Sequence, residues 1–247
     1  MRYFKAIYFN VGGTLIQPKR GTIPSQYANH LSAILKKQIS DHQVYQAFKN
    51  ADKWVLTRKR PGLLFSDLDQ RKYQNAFYSV LGVQGRKQIN RIEAELAERL
   101  EIEFILEQGA ISLLKSLTEY NLGIISNWDP SLRDLLTDFG ILDYFDSVTI
   151  SGEIGSGKPG STIFKSALDD FPKVKAKETI YLGDDYQMDI LPAKMLQINA
   201  VLYDKGPTGM HGRPFQRNAD CPRVESLEEL PSLIQRTETH RLSKKRK

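Results

Sequence analysis

Four short groups of polar residues contain the side chains best suited to chemistry, and each group follows a short apolar segment. The groups lie at residues 10–14 (NVGGT), 126–127 (SN), 158 (K) and 184–189 (DDYQMD). A hydroxyl group, an ammonium group and paired carboxylates are the groups that position and neutralise a charged ligand. Taken one at a time, the same residues are also common in turns and at helix N-termini. Their function therefore depends on whether the fold brings the four groups together.

The apolar segments are predicted to be strands that alternate with helices. The predicted strands are YFKAIYF at 3–9, LGIIS at 122–126, SVTI at 147–150, TIYLG at 179–183 and INAVLY at 198–203. Helical patterns of apolar residues separate the later strands, at about 130–139, 161–171 and 189–196. This alternation predicts a parallel sheet joined by right-handed crossovers. Ligand sites in such sheets form at the carboxyl ends of the strands, which is where the polar groups fall.

The residues from about 20 to 105 interrupt this alternation with almost no strand signal. They contain four helical patterns, at roughly 24–38, 41–58, 66–81 and 86–104. We therefore expect an α/β fold with a three-layer, Rossmann-like parallel-sheet core and an inserted all-helical cap domain. The expected division is a core at 1–18 and 105–237, a helical cap at 19–104 and a basic tail at 238–247.

The order of these four groups, with the helical insertion after the first, resembles the haloacid dehalogenase superfamily of hydrolases, subfamily I, with a C1 cap. The resemblance covers nearly the whole chain. It implies phosphoryl transfer by an Asp nucleophile after the first strand, with a second Asp two residues later as acid/base. It also implies a hydroxyl residue and a Lys that neutralise the phosphoryl oxygens. Carboxylates after the fourth strand would hold Mg²⁺, a hard ion that prefers oxygen ligands.

Three of the four family motifs are present in this sequence. Ser126 and Lys158, followed by Pro159, match the hydroxyl and lysine positions of the catalytic set. The phosphate-binding residues implied are Thr14, Ser126, Asn127 and Lys158. The metal ligands implied are Asn10, Asp184 and Asp189, of which the two Asp residues match a GDxxxxD motif.

The first motif departs from the family pattern DxDGT. Asn10 stands at the nucleophile position and Gly12 at the acid/base position, whereas Gly13 and Thr14 match. A carboxamide is a far poorer nucleophile than a carboxylate, and losing a nucleophile lowers the rate by about 10⁴–10⁶-fold. Losing the acid/base lowers it by a further ~10²–10⁴-fold. Hydrolysis is therefore expected to be weak or absent, and Mg²⁺ binding to be weakened by the missing charge at position 10.

Several interpretations of Asn10 stay open. In the first, the chain is a natural pseudoenzyme that binds a phosphorylated ligand or a partner. In the second, Asn10 is an engineered Asp-to-Asn substitution that traps substrate in an active phosphatase or dehalogenase. In the third, activity is retained by another route. Gly12 favours a native departure, because trapping needs only one substitution. Dehalogenases of the family also lack the second Asp. They resemble one another, however, in a metal-free pattern with Ser and Asn at the positions where this chain has Gly183 and Asp184. The acidic motif therefore favours phosphate chemistry.

The distribution of charge suggests which part of the chain faces a ligand. The chain has 247 residues, a formal charge of +6 and a single cysteine, Cys221. Residues 18–105 contain 15 basic and 9 acidic side chains, and residues 236–247 contain 6 basic and 1 acidic side chain. The basic cap predicts an anionic, phosphorylated small molecule as partner; a non-catalytic binding or regulatory module that uses the basic cap and tail is an alternative. No nucleic-acid motif is present, no membrane partner is expected, and a cytoplasmic location is predicted, while oligomeric state is left open.

Overall fold

The computed structural model describes residues 2–57 and 67–244, and its centre is a six-stranded sheet. Its six strands are β1 (Ala6–Phe9), β4 (Asn121–Ser126), β5 (Ser147–Ile150), β6 (Thr179–Gly183), β7 (Asn199–Tyr203) and β8 (Arg223–Val224), and a separate pair consists of β2 (Ile16–Pro18) and β3 (Phe104–Leu106). The sheet has the order β5-β4-β1-β6-β7-β8, and every neighbouring pair in it is parallel. The predicted parallel α/β fold is thus confirmed, with β1 at the centre.

Helices cover both faces of this sheet and form the inserted segment. They are α1 (Ile23–Leu35), α2 (Asp41–Leu56), α3 (Asp67–Val80), α4 (Arg86–Arg99), α5 (Ala110–Ser116), α6 (Leu132–Asp138), α7 (Ser151–Ile154), α8 (Ser161–Asp169), α9 (Leu191–Met195) and α10 (Leu230–Lys244). In the described parts of the chain, no helix is both long and apolar enough to cross a membrane.

Side-chain alternation along β1 separates the two apolar layers of the core. Ile7 and Phe9 pack into one buried cluster, whereas Ala6 and Tyr8 pack into another on the opposite face. Successive side chains of a strand point to opposite faces of a sheet, so a central strand with helices on both sides is apolar throughout. This explains why residues 6–9 contain no polar side chain except the Tyr8 hydroxyl, which donates a hydrogen bond to the carbonyl oxygen of Ala167.

The inserted helices α1 to α4 have an apolar core of their own. Leu31, Val44, Tyr78 and Ile92, one from each helix, are buried in a single cluster. The first two helices start at capping boxes, in which Thr22 and Ser40 accept hydrogen bonds from the backbone N–H groups three residues later.

Two short strands that the sequence did not predict stand at the two ends of this insertion. Strands β2 and β3 pair antiparallel, with Ile16 opposite Leu106. Their pairing brings the start and the end of the insertion together beside the sheet. A three-residue strand has too few positions to show a two-residue alternation, so its existence depends on its distant partner.

The last helix extends into the segment predicted to be a basic tail. Helix α10 continues to Lys244, so residues 238–244 are helical, with Thr239, His240 and Ser243 exposed. Glu238 accepts hydrogen bonds from the backbone N–H groups of Tyr3 and Phe4, and Arg241 donates one to the Tyr3 hydroxyl. Residue 58, the predicted end of the second helix, and residue 66, the predicted start of the third, lie outside the described residues, as do residues 245–247.

Candidate functional site

The four polar groups meet at the carboxyl edge of the sheet. Asn10 directly follows β1, Ser126 is the last residue of β4, and Asp184 directly follows β6. Lys158 lies between α7 and α8, in the segment that leaves β5. All of these strands are neighbours and parallel, so their ends place residues far apart in the sequence within hydrogen-bonding distance of one another.

The Lys158 ammonium group is the centre of a buried hydrogen-bond network. Its Nζ donates to Asn10 Oδ1 at 2.9 Å, to Asp189 Oδ1 at 2.6 Å and to the Tyr181 hydroxyl at 3.1 Å. The side chains of Lys158 and Asp189 are only 4% and 1% exposed. An ammonium group has three donors, and all three are used here.

The other end of the Asn10 side chain faces two acceptors. Its Nδ2 donates to the carbonyl oxygen of Gly12 at 2.7 Å and to Asp184 Oδ1 at 2.8 Å. Turning the amide over would place Nδ2 against the Lys158 ammonium and Oδ1 against two oxygen acceptors. The surrounding donors and acceptors therefore determine the orientation of this amide.

Gly13 allows Asp184 to approach the loop after β1. Its φ is 82°, in the left-handed region that favours glycine, and a Cβ atom at this position would lie 2.4 Å from Asp184 Oδ2. The next residue, Thr14, is buried with its Oγ1 3.5 Å from Asp184 Oδ1. Thr14, predicted to bind phosphate, thus faces the Asp184 carboxylate in this structure.

The space beside Gly12 is filled by two large side chains. A Cβ atom at Gly12 would lie 3.1 Å from Trp128 Cζ3 and 3.4 Å from Met210 Sδ. A longer side chain at this position therefore requires Trp128 to shift. The glycine at position 12 is thus matched by the packing around it.

Asn127 binds the backbone of the Lys158 loop rather than facing open space. Its Oδ1 accepts a hydrogen bond from Lys158 N at 2.7 Å, and its Nδ2 donates to the carbonyl oxygen of Lys158 at 2.9 Å. These two bonds hold the backbone of Lys158 against the end of β4. Ser126, the preceding residue, is buried with 1% of its surface exposed.

Asp189 faces the Lys158 end of the site. Besides Lys158, its Oδ1 accepts a hydrogen bond from the Tyr181 hydroxyl at 2.8 Å, and its Oδ2 accepts one from Asp185 N at 2.9 Å. Burial and the negative charge of Asp189 raise the pKa of Tyr181 well above its usual value, which keeps the hydroxyl a donor. Tyr181 belongs to an otherwise apolar strand, so no sequence pattern marked it as part of the site.

Arg213 contributes a second cation, from the loop after β7. Its Nη2 lies 2.7 Å from Asp185 Oδ2, and its Nη1 donates to the carbonyl oxygen of Asp184 at 3.3 Å. Burial raises the pKa of Asp184 to about 7, although Arg213 acts in the opposite direction. Burial would also raise the pKa of Asp185, but the Arg213 guanidinium holds it below the usual range. Arg213 lies outside the four polar groups of the sequence analysis, in a glycine-rich loop.

His211, in the same loop, completes the edge of the site. Its Nε2 lies 3.6 Å from Asp184 Oδ2. Burial and the neighbouring Arg213 lower the pKa of His211 below its usual range, so the imidazole is neutral near pH 7. A neutral imidazole contributes hydrogen bonding but no charge at this position.

A cavity of about 490 Å³ lies between α2 of the insertion and this edge of the sheet. Its polar lining combines residues from both sides: Lys49, Asp52, Lys53, Asp185, His211 and Arg213. Tyr45, Phe48 and Leu56 add apolar surface from α2. Burial next to Asp185 raises the pKa of Asp52 to about 6, and Arg213 partly offsets this effect. The cavity is therefore lined by both charged and aromatic side chains.

The residues predicted to hold Mg²⁺ do not fit that ion in this arrangement. Asn10 directs its oxygen to Lys158 and its nitrogen to Asp184, and both oxygens of Asp189 accept hydrogen bonds from protein donors. In the described part of the chain, no group of three or more His, Cys, Asp and Glu side chains is arranged to hold a metal ion. Mg²⁺ needs converging oxygen ligands, and here hydrogen-bond donors lie between the oxygens.

Comparisons with known sequences identify related hydrolases. The model of the family described as haloacid dehalogenase-like hydrolase matches residues 62–203. Phosphoserine phosphatase of Thermus thermophilus is 35% identical over 112 residues, 44% of this chain and 45% of that protein. Pyrimidine 5'-nucleotidase YjjG of Escherichia coli is 34% identical over 128 residues, 51% of this chain and 55% of that protein. The chain thus matches about half the length of these curated relatives.

Comparison with solved structures covers almost the whole chain. The magnesium-bound hydrolase YfnB of Bacillus subtilis has a TM-score of 0.65 and 17% sequence identity, covering 94% of this chain and 99% of that one. A structure described as a predicted phosphoglycolate phosphatase, from Haemophilus somnus, gives a TM-score of 0.64 at 17% identity, with coverages of 94% and 99%. At this level of identity, the likeness shows a shared fold.

Proposed function

The chain belongs to the family of haloacid dehalogenase-like hydrolases, and from that premise we propose that it binds a phosphorylated small molecule but hydrolyses it weakly or not at all. Asn10 would occupy the position of the nucleophile and Gly12 that of the acid/base. Residues 1–18 and 105–237 would form the core and residues 19–104 a C1-type cap. The single, partly buried Cys221 fits a reducing compartment such as the cytoplasm.

The observation that carries this proposal is the hydrogen bonding of Asn10. Both ends of its carboxamide are engaged, by Lys158 at one end and by Gly12 and Asp184 at the other. An amide oxygen that carries no negative charge and already accepts a hydrogen bond from an ammonium group is a poor nucleophile. The scaffold of a phosphoryl-transfer site is therefore assembled around a group that cannot readily attack phosphorus.

The packing at Gly12 supports the same conclusion independently. Trp128 and Met210 lie 3.1 and 3.4 Å from the place of a Cβ atom at position 12, so an acid/base side chain there would require Trp128 to shift. The two departures from the family pattern thus go together with compensating side chains, which favours a natural pseudoenzyme over an isolated substitution at Asn10.

The cavity beside α2 supports an anionic ligand. Lys49, Lys53 and Arg213 line it together with Asp52 and Asp185. Several relatives have names that specify phosphorylated small molecules, namely phosphoserine, pyrimidine 5'-nucleotides and glyceraldehyde 3-phosphate. A ligand of this class would place its charged group near Arg213 and its remaining part against the aromatic surface of α2.

Hydrolysis and binding should be measured side by side on the unaltered chain, Asn10→Asp and Asn10→Asp/Gly12→Asp. We expect no turnover of a panel of phosphomonoesters above background by the unaltered chain, together with saturable binding of at least one ester by calorimetry. The Asn10→Asp variant regains a nucleophile but no acid/base, so any recovery is expected to be partial.

The matched control is Asn90→Asp on the exposed face of α4, which makes the same chemical change away from the site. It is expected to behave like the unaltered chain in both measurements. Rapid turnover by the unaltered chain, at rates typical of active enzymes, would contradict the proposal. So would the absence of binding to every phosphorylated compound in the panel.

A further inference from the structure

The Asn10 amide nitrogen lies between two oxygen atoms of the site and donates a hydrogen bond to each. It is 2.7 Å from the carbonyl oxygen of Gly12 and 2.8 Å from Asp184 Oδ1. Two oxygens that converge on a common point, one from a carboxylate, are a typical part of an oxygen-ligand cation site. Here an N–H₂ group occupies that point and satisfies both oxygens by hydrogen bonding.

A cation could bind at this point only if the Asn10 amide turned over, so that its oxygen took the place of its nitrogen. Its oxygen would then face the cation, but Nδ2 would face the Lys158 ammonium, which lies 2.9 Å from the present position of Oδ1. Two donors would then meet at hydrogen-bonding distance with no acceptor between them. Because Lys158 is positioned by Asn127 and by Asp189, it cannot easily withdraw.

The carboxylates of the site already have cationic partners from the protein. Lys158 forms a buried ion pair with Asp189, whereas Arg213 forms a half-buried one with Asp185 and lies 3.9 Å from Asp184 Oδ2. Two cations and the two N–H bonds of the Asn10 amide thus face three carboxylates. A divalent cation added to this arrangement would have to compete with all of these donors.

We infer that the Asn10 amide replaces a divalent cation in this site, so that the pocket is complete without Mg²⁺. This inference rests on the location of the proposed site but not on hydrolysis, because it concerns cation binding alone. The side chains Asn10 and Arg213 would perform by hydrogen bonding what oxygen-ligated Mg²⁺ does by coordination. The substitution of Asn for a carboxylate then removes both a nucleophile and the need for a metal.

The direct test uses Mn²⁺ as a paramagnetic substitute for Mg²⁺, with free Mn²⁺ measured by electron paramagnetic resonance. The unaltered chain and the Asn90→Asp control are expected to leave Mn²⁺ free up to millimolar concentrations. Asn10→Asp replaces the competing N–H₂ group with a charged oxygen ligand and is expected to bind Mn²⁺ on the order of 100-fold more tightly. That binding should be lost again in Asn10→Asp/Asp184→Asn.

Two results would overturn the inference. The first is binding of Mn²⁺ by the unaltered chain that is as tight as in Asn10→Asp and is abolished by Asp184→Asn. The second is a folded Asn10→Asp variant, judged by circular dichroism, that binds Mn²⁺ no better than the unaltered chain. If Asn10→Asp folds only with metal present, Asn10→Ser removes the amide nitrogen without adding charge. It is then expected to bind Mn²⁺ measurably, and failure to do so while folded counts against the role of the amide.

Discussion

Replacing Asp189 with asparagine is expected to destabilise the protein strongly, because it removes the carboxylate that forms a buried ion pair with the Lys158 ammonium. The two groups are 2.6 Å apart, with side chains 4% and 1% exposed. The asparagine oxygen would still accept from Lys158 and Tyr181. Its N–H₂ group, however, would face the Asp185 N–H that now donates to Asp189 Oδ2 at 2.9 Å.

The size of the expected loss in stability depends on how the Coulomb attraction and the desolvation cost of the ion pair change. At a separation of 2.6 Å and an effective dielectric constant of about 20, the Coulomb attraction of the pair is about 6 kcal/mol. The cost of removing both charges from water is several kcal/mol for each ion, so the intact pair contributes little net stability. Removing one partner eliminates the attraction but keeps the desolvation cost of the other. We therefore expect a loss of about 3–5 kcal/mol in the free energy of unfolding.

Urea denaturation and thermal unfolding would both measure this loss. For a chain of this size, 3–5 kcal/mol corresponds to a decrease in Tm of roughly 6–20 °C. The control is Glu153→Gln, which breaks an ion pair of equal length, Arg133–Glu153 at 2.6 Å, whose side chains are 44% and 29% exposed. That exposed pair is expected to contribute only about 0–1 kcal/mol.

A double-mutant cycle separates the ion pair from other effects of the substitution. Lys158→Met combined with Asp189→Asn is expected to cost less than the two single changes together, by about 1–3 kcal/mol, because neither charge is then left unpaired. The reasoning is refuted if Asp189→Asn costs no more than Glu153→Gln, or if the two single changes are additive.

Three further predictions concern other parts of the site. Gly12→Asp is expected to lower the free energy of unfolding by about 1–3 kcal/mol, since its Cβ would lie 3.1 Å from Trp128 Cζ3; urea denaturation checks this, and an unchanged midpoint contradicts it. Asn127→Ala removes two hydrogen bonds to the Lys158 backbone and is expected to lower the free energy of unfolding by about 1–3 kcal/mol in the same measurement. An unchanged free energy would mean that the loop keeps its position without these bonds. The Asp52 carboxyl has its pKa raised from 3.8 to about 6, so the folded state holds its proton more tightly, and stability should fall as pH rises from about 4 to about 6. Asp52→Asn should remove that fall and raise the free energy of unfolding by at most about 3 kcal/mol above pH 6. Tm measured against pH tests this. The prediction is contradicted if the Tm difference between the variant and the unaltered chain is the same at pH 4 and pH 7.

The alternation of strands and helices after residue 105 could be predicted because each element carries its own local pattern. The predicted strands at 147–150 and 179–183 coincide with β5 and β6. The antiparallel pair β2 and β3 was not predictable in the same way, because each strand has three residues and exists through its distant partner. The course of α10 past residue 237 depends likewise on contacts of Glu238 with Tyr3 and Phe4, far away in the sequence.

The composition of the site was predictable in part, but the partners of its atoms were not. The sequence placed Asn10, Ser126 and Asp184 after predicted parallel strands and Lys158 in the loop that follows another, and the structure brings these segments together through the order of its strands. It gave no reason to include Tyr181, whose hydroxyl contacts Lys158 and Asp189. A tyrosine within an apolar strand is indistinguishable by pattern from a core aromatic residue.

By itself, the sequence determined that position 10 carries an amide and position 12 no side chain, since these are properties of the residue types. It thereby placed an amide and a glycine where the resemblance to the DxDGT pattern would have two Asp residues. Only the tertiary structure decided which way the amide of Asn10 points, because its partners Lys158 and Asp184 are 148 and 174 residues away. Hydrogen bonds depend on distance and direction in space, so the replacement of a cation by an amide group becomes visible only when the parallel strands bring these atoms together.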